Sequence, residues 1–144
     1  MYDNAKYLIE TQQLNLLTAN TKIMLVTGSY SPDKTHQMIA GSGSLPGNFE
    51  ISGTGYVPGY GGSGRKSLTG KTYTQDNTNH VVYFDFDDIS WLGINAGIIG
   101  ALILVVEVTS DLQSHLVIYR SSGGFPLSTL KCLGYLLVIV IEKS

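Results

Sequence analysis

Residues 66–74 and 80–86 are two β-rich runs on either side of the polar stretch Gln75-Asp76-Asn77-Thr78-Asn79, and this pair constrains the fold more than any other part of the chain. Two such runs joined by a short polar connection read as a β-hairpin with a longer loop. Along the second run Val82, Phe84 and Phe86 share one face, and Val81, Tyr83 and Asp85 share the other, because successive strand side chains point to opposite sides. The rest of the chain supplies further strands. Residues 22–27 form a bounded apolar run of strand length, and Ile89-Ser90-Trp91 continues the β pattern. Runs at 98–108 and 116–119 follow, separated by a polar turn at 110–114. A closing run at 133–141 contains Val138, Ile139, Val140 and Ile141, whose branched side chains favour strand over helix. Shorter strands are expected at 14–17 and 48–52, with turn chemistry at Thr18-Ala19-Asn20 and Ser31-Pro32-Asp33.

Helical spacing occurs once. With Asp3 as N-cap, Ala5, Leu8 and Ile9 recur at the helical period up to Gln13, which predicts a helix over 3–13. A chain of 144 residues accommodates one domain with a real core. The predicted fold is therefore mainly β: a single antiparallel β-sandwich or barrel-like domain over residues 1–144, with seven to eight strands and one short N-terminal helix. The apolar stretches 94–106 and 133–141 fall short of the about 18 residues that a membrane-crossing helix needs. They read as core strands, and no membrane partner is expected. Met1-Tyr2-Asp3-Asn4 has no basic or apolar leader pattern, so no secretory signal is expected either.

Nine basic residues against 11 acidic ones give a net charge of −2, which leaves no electrostatic footprint for nucleic acid. Charged residues make up 14% of the chain, against about 25% in an average soluble domain. A soluble domain this poor in charge is expected to hide surface in an assembly, because apolar patches and low net charge favour association. The single cysteine, Cys132, excludes an internal disulfide framework and reads as a small buried hydrophobe in its apolar surroundings.

Composition shifts between residues 40 and 66, where nine of the 17 glycines fall together with Pro46 and Pro58. So long a segment without a periodic pattern suits either a surface loop without fixed structure or an arm ordered by a partner. Tyr56 and Tyr60 flank Pro58, and large rigid side chains on a glycine loop suit contact. Tyr56, Pro58, Tyr60 and Arg65 are accordingly the candidate partner-contact residues. The 59–64 segment shows no core pattern, so its deletion is expected to leave the domain folded.

Several tempting motifs lack their context. Gly59, Gly61 and Gly64 satisfy G-x-G-x-x-G, but that motif requires a helix after the glycines to receive a pyrophosphate, and residues 65–74 are strand-like. A phosphate-binding P-loop requires lysine directly after the last glycine, and Arg65 separates Gly64 from Lys66. Asp85, Asp87 and Asp88 offer three carboxylates where a hard cation wants six to eight oxygens. His36, His80 and His115 lie far apart, and no G-x-S-x-G elbow accompanies them. No catalytic residue, cofactor or metal is assigned, and a nucleotide-binding enzyme built on the 59–64 loop is the remote alternative.

Five stretches in order, Tyr2-Asp3-Asn4-Ala5-Lys6, residues 21–33 (Thr-Lys-Ile-Met-Leu-Val-Thr-Gly-Ser-Tyr-Ser-Pro-Asp), 52–56, 66–74 and 83–91, resemble a family of small virion structural proteins of tailed phages. The likeness runs from the N-terminus to about residue 108; the glycine insertion at 59–64 and the very apolar C-terminus depart from it. The resemblance implies a non-enzymatic role on the particle and carries over no functional residues. Within that class a capsid cement or decoration protein is favoured, located on the capsid surface of the virion after synthesis in the host cytoplasm. Its expected partners are the major capsid protein and further copies of itself in a homotrimer. A tail, baseplate or fibre component is the alternative.

Overall fold

A computed structural model describes residues 1–126, 129–132 and 135–140. The described residues form one helix, α1 (Asp3–Glu10), followed by β1 (Thr21–Val26), a 3-10 turn at Pro46–Phe49, and then β2 (Lys66–Ser67), β3 (Thr72–Asp76), β4 (Val81–Asp85), β5 (Ile89–Leu92), β6 (Ile98–Val106), β7 (His115–Pro126), β8 (Thr129–Cys132) and β9 (Tyr135–Val140). All strand pairs are antiparallel. The sheets are open rather than closed into a barrel, with strand orders β2-β1-β6-β7, β3-β4-β9 and β5-β8. The fold is thus mainly β with one short N-terminal helix. Among the described residues no helix is long and apolar enough to cross a membrane.

Strand β1 organises the core. Its apolar run has no polar alternation after Lys22, and a strand of that kind needs cover on both faces. Ile23 and Leu25 enter one cluster with Ala5 of α1, Phe84, Phe86, Trp91 and Tyr56. Met24 and Val26 point the other way, into a cluster with Tyr2, Tyr30, Ile39 and Leu116. The hairpin predicted from residues 66–86 is present, with Tyr73 opposite Phe84 and Gln75 opposite Val82. Its apolar face, carried by Phe84 and Phe86, packs in the first cluster.

Three expectations about local structure are corrected. The helix ends at Glu10, short of Gln13, with Tyr2 rather than Asp3 at the N-cap. Gln12 adopts a left-handed φ of 60°, and the N–H groups of Gln13 and Leu14 both return to the Leu8 carbonyl, a closure that satisfies the last carbonyls. Residues 14–17 are not a strand. The Asn15 side chain accepts the Leu17 N–H, and the Asn15 carbonyl accepts from Thr18 and Ala19, which bends the chain into a turn. The 48–52 strand reduces to the 3-10 turn and a single bridge between Glu50 and Val26.

The run at 66–74 divides into β2 and β3 at Gly70, which has a φ of +61°. A side chain there would meet the Asp87 carboxylate at 2.3 Å. That carboxylate accepts the Thr69 hydroxyl at 2.8 Å, and the Asp87 N–H donates to the Thr69 carbonyl. Of the closing run expected at 133–141, Tyr135–Val140 forms β9, while 133, 134 and 141 lie outside the described residues, as does the environment of the Cys132 side chain.

Candidate functional site

A low-charge chain cannot easily bury ions, because an unpaired charge removed from water is costly. Arg65 is nevertheless only 4% exposed. Five hydrogen bonds leave its guanidinium: Nε and Nη2 reach the two oxygens of Glu50 at 2.8 and 2.7 Å, Nη1 and Nη2 reach those of Asp111 at 2.6 and 3.0 Å, and Nη1 also reaches Glu107 at 3.0 Å. A guanidinium has five N–H groups, so its donor capacity is matched. The second oxygen of Glu107 holds Lys22 Nζ at 2.8 Å. Burial alone would lower the Arg65 pKa, but the bonds to Glu50 and Asp111 outweigh it and raise the pKa above its ordinary value.

Neighbouring groups complete the cluster. The Tyr56 hydroxyl donates to Glu50 Oε1 at 2.8 Å and accepts the Leu25 N–H at 3.1 Å. Burial, then the charge of Glu50, push that phenol upward in pKa. The Gly59 N–H donates to Glu50 Oε2 at 3.1 Å. At the other end of the loop the Trp91 indole N–H donates to the Gly64 carbonyl at 2.6 Å, and Gly64 lies so close to the Tyr56 ring that a Cβ would meet it at 2.5 Å. The glycine segment is therefore fastened at both ends to the β1 side of the core.

Two of the four candidate contact residues are placed inside the protein. Tyr56 is a core residue at 1% exposure and Arg65 is the buried ion-pair centre, so neither offers its side chain to a partner. Pro58 is half-buried, and Tyr60 is exposed. The expectation that 59–64 contributes nothing to the core is corrected as well, since Gly59 and Gly64 both bond to buried side chains.

The cluster fastens a second loop. Asp111 sits in the connection between β6 and β7, and the Tyr60 hydroxyl donates to the Val108 carbonyl of that connection at 3.1 Å. The two loops expose Val57 (55%), Tyr60 (47%), Val108 (46%) and Leu112 (65%).

Sequence reasoning missed Glu50, Glu107 and Asp111, which lie 15, 42 and 46 residues from Arg65. One signal was available: Glu107 directly follows the apolar strand Ile98–Val106, where an acid can be buried only with a cationic partner.

The remaining chemically suggestive residues stay apart. His36 Nδ1 pairs with the Tyr30 hydroxyl at 3.0 Å, which in turn pairs with Tyr2. His80 occupies the exposed hairpin turn with a φ of 57°, and His115 starts β7. Among the described residues no three His, Cys, Asp or Glu side chains are grouped to hold a metal ion. The 59–64 glycines run through Arg65 into β2 rather than into a helix, and the adjacent guanidinium is already saturated by carboxylates. In comparisons with known proteins, no family model, no curated protein and no solved structure matches the chain.

Proposed function

We propose that this chain is a non-enzymatic structural protein of a tailed-phage particle, a capsid cement or decoration protein that binds the assembled shell. The resemblance of residues 2–6, 21–33, 52–56, 66–74 and 83–91 to small virion proteins supports the class. The observation that carries the mode of action is the tie between two loops that expose apolar side chains: Val57, Tyr60, Val108 and Leu112 lie on loops joined through Arg65. A surface already ordered before binding loses less entropy on association, and exposed aromatic and aliphatic side chains are the usual anchors of a protein interface.

Shell stabilisation then follows from mass action. A protein that binds only the assembled state lowers the free energy of that state, and a homotrimer engaging several subunits of the major capsid protein at once gains avidity. Its location is the capsid surface of the virion. Quantitative mass spectrometry of purified particles tests the assignment. A copy number in the hundreds, in fixed proportion to the major capsid protein, is expected; three, six or twelve copies would place the chain in the tail, and absence from the particle would refute the virion reading.

A further inference from the structure

Among the described residues strand β3 lies on the rim of the sheet β3-β4-β9, bonded on one side to β4. Its register with β4 runs over five residues without a shift, and Thr72, Tyr73, Thr74 and Gln75 are exposed and uncharged. Proteins normally blunt such an edge with proline, a bulge or charged side chains; β3 has no proline or bulge, and its one charge, Asp76, sits at its end and is bonded into the hairpin turn. Beside it opens a groove of about 690 Å³ between the end of α1 and the hairpin, lined by Ile9, Leu14, Tyr73 and Val82 together with the polar Glu10, Gln12 and Asn15. Tyr73 pairs with Phe84 and Gln75 with Val82, so both β3 side chains stand on the groove side of the sheet.

We propose that this edge and groove form a self-association site, occupied by β3 of a second copy of the chain running antiparallel about a two-fold axis at Thr74. In that register Thr74 faces Thr74, Tyr73 faces Gln75 and Thr72 faces Asp76 of the second copy. Each copy places its Tyr73 beside Gln75 and Val82 of the other, in the groove next to Ile9 and Leu14. The charges permit it: Lys71 comes opposite Asn77, and Asp76 opposite Thr72, so no like charges oppose one another across the pair. Every position of β3 is thus matched by another position of β3. The contact is isologous and stops at two copies, so it is additional to any three-fold association. It rests on the edge and groove alone and stands whether or not the chain belongs to a particle.

Sedimentation velocity on the full chain tests this, together with Thr74→Lys and Thr74→Glu at a solvent-exposed position. Wild type is expected to show a monomer–dimer equilibrium, and each charged variant to weaken it at least about tenfold by placing like charges across the axis. An equimolar mixture of the two variants is expected to restore the dimer. In a Cys132→Ser background, Thr74→Cys is expected to oxidise to a disulfide-linked dimer and Thr78→Cys to remain monomeric. A wild-type monomer at all concentrations, an oligomer unaffected by Thr74→Lys, or a mixture that fails to pair would overturn the proposal.

Discussion

Arg65 and Glu50 form a two-pronged ion pair, Nε to Oε1 at 2.8 Å and Nη2 to Oε2 at 2.7 Å, with the guanidinium shut off from solvent. The two stand 15 positions apart along a glycine-rich stretch of chain. The pair closes that chain into a loop and binds its base to the Tyr56 hydroxyl and the Gly59 N–H, which share the same carboxylate. A segment whose composition suggests freedom is fixed by one cation.

Removing that cation leaves Glu50 buried with no cationic partner and Glu107 with Lys22 alone. Arg65→Ala is expected to destabilise the fold by about 3–5 kcal/mol, the range for breaking a buried ion pair from one side. Arg65→Lys restores the charge but not the planar fork that serves three carboxylates, and so recovers only part of the loss. Chemical denaturation of both variants reads the difference.

Backbone proximity gives a second test. A Cβ on Gly100 would sit 2.3 Å from the Gly28 backbone, whereas one on Gly28 meets its nearest neighbour, Gly100, at 4.0 Å. Gly100→Ala is therefore expected to cost about 1–3 kcal/mol or more by overpacking, and Gly28→Ala much less. Thermal unfolding of the two alanine variants should separate them clearly; equal effects would contradict the close approach of β6 to the chain after β1.

Deletion of residues 59–64 removes the Gly64 acceptor of the Trp91 indole and the Gly59 donor to Glu50. Loss of cooperative unfolding is the expected outcome. Trp91→Phe isolates one part of this effect: it leaves the Gly64 carbonyl without its indole donor and should cost about 1–3 kcal/mol, measured by urea titration.

Acid weakens the fold through His115. Burial holds its pKa below the ordinary 6.5, and Nδ1 is buried with no hydrogen-bond partner among the described residues. Protons therefore bind the unfolded chain first. The stability contributed by neutral His115 is fully present above about pH 6.5 and is lost as pH falls from there through the folded value. His115→Gln should flatten stability against pH over that window. The lowered carboxylates Asp33 and Asp76 act only near and below their ordinary value of 3.8, so they do not obscure it.

The strands were legible where the side-chain period was strong. The unbroken apolar run of β1 and the alternation Val82-Phe84-Phe86 both declare their faces. Legibility failed where a single long-range contact decided the local structure. Gly70 breaks a strand-like run because Asp87 occupies the space beside it, and Asn15 turns a run that composition alone made strand-like. Of the candidate contact residues Tyr60 is exposed, but Tyr56 and Arg65 are drawn inward by Glu50, Glu107 and Asp111, and no local pattern encodes a pairing across 46 residues.

Co-sedimentation with particles assembled without this chain tests the central claim most directly: that the protein acts by docking a rigid apolar surface against its neighbours. Purified wild type is expected to bind to saturation at a fixed stoichiometry, and a folded Tyr60→Ser/Leu112→Ser variant to bind at least about tenfold more weakly, as loss of interface anchors predicts. Failure of the wild type to sediment with the particles, or equal binding by the variant, would contradict it.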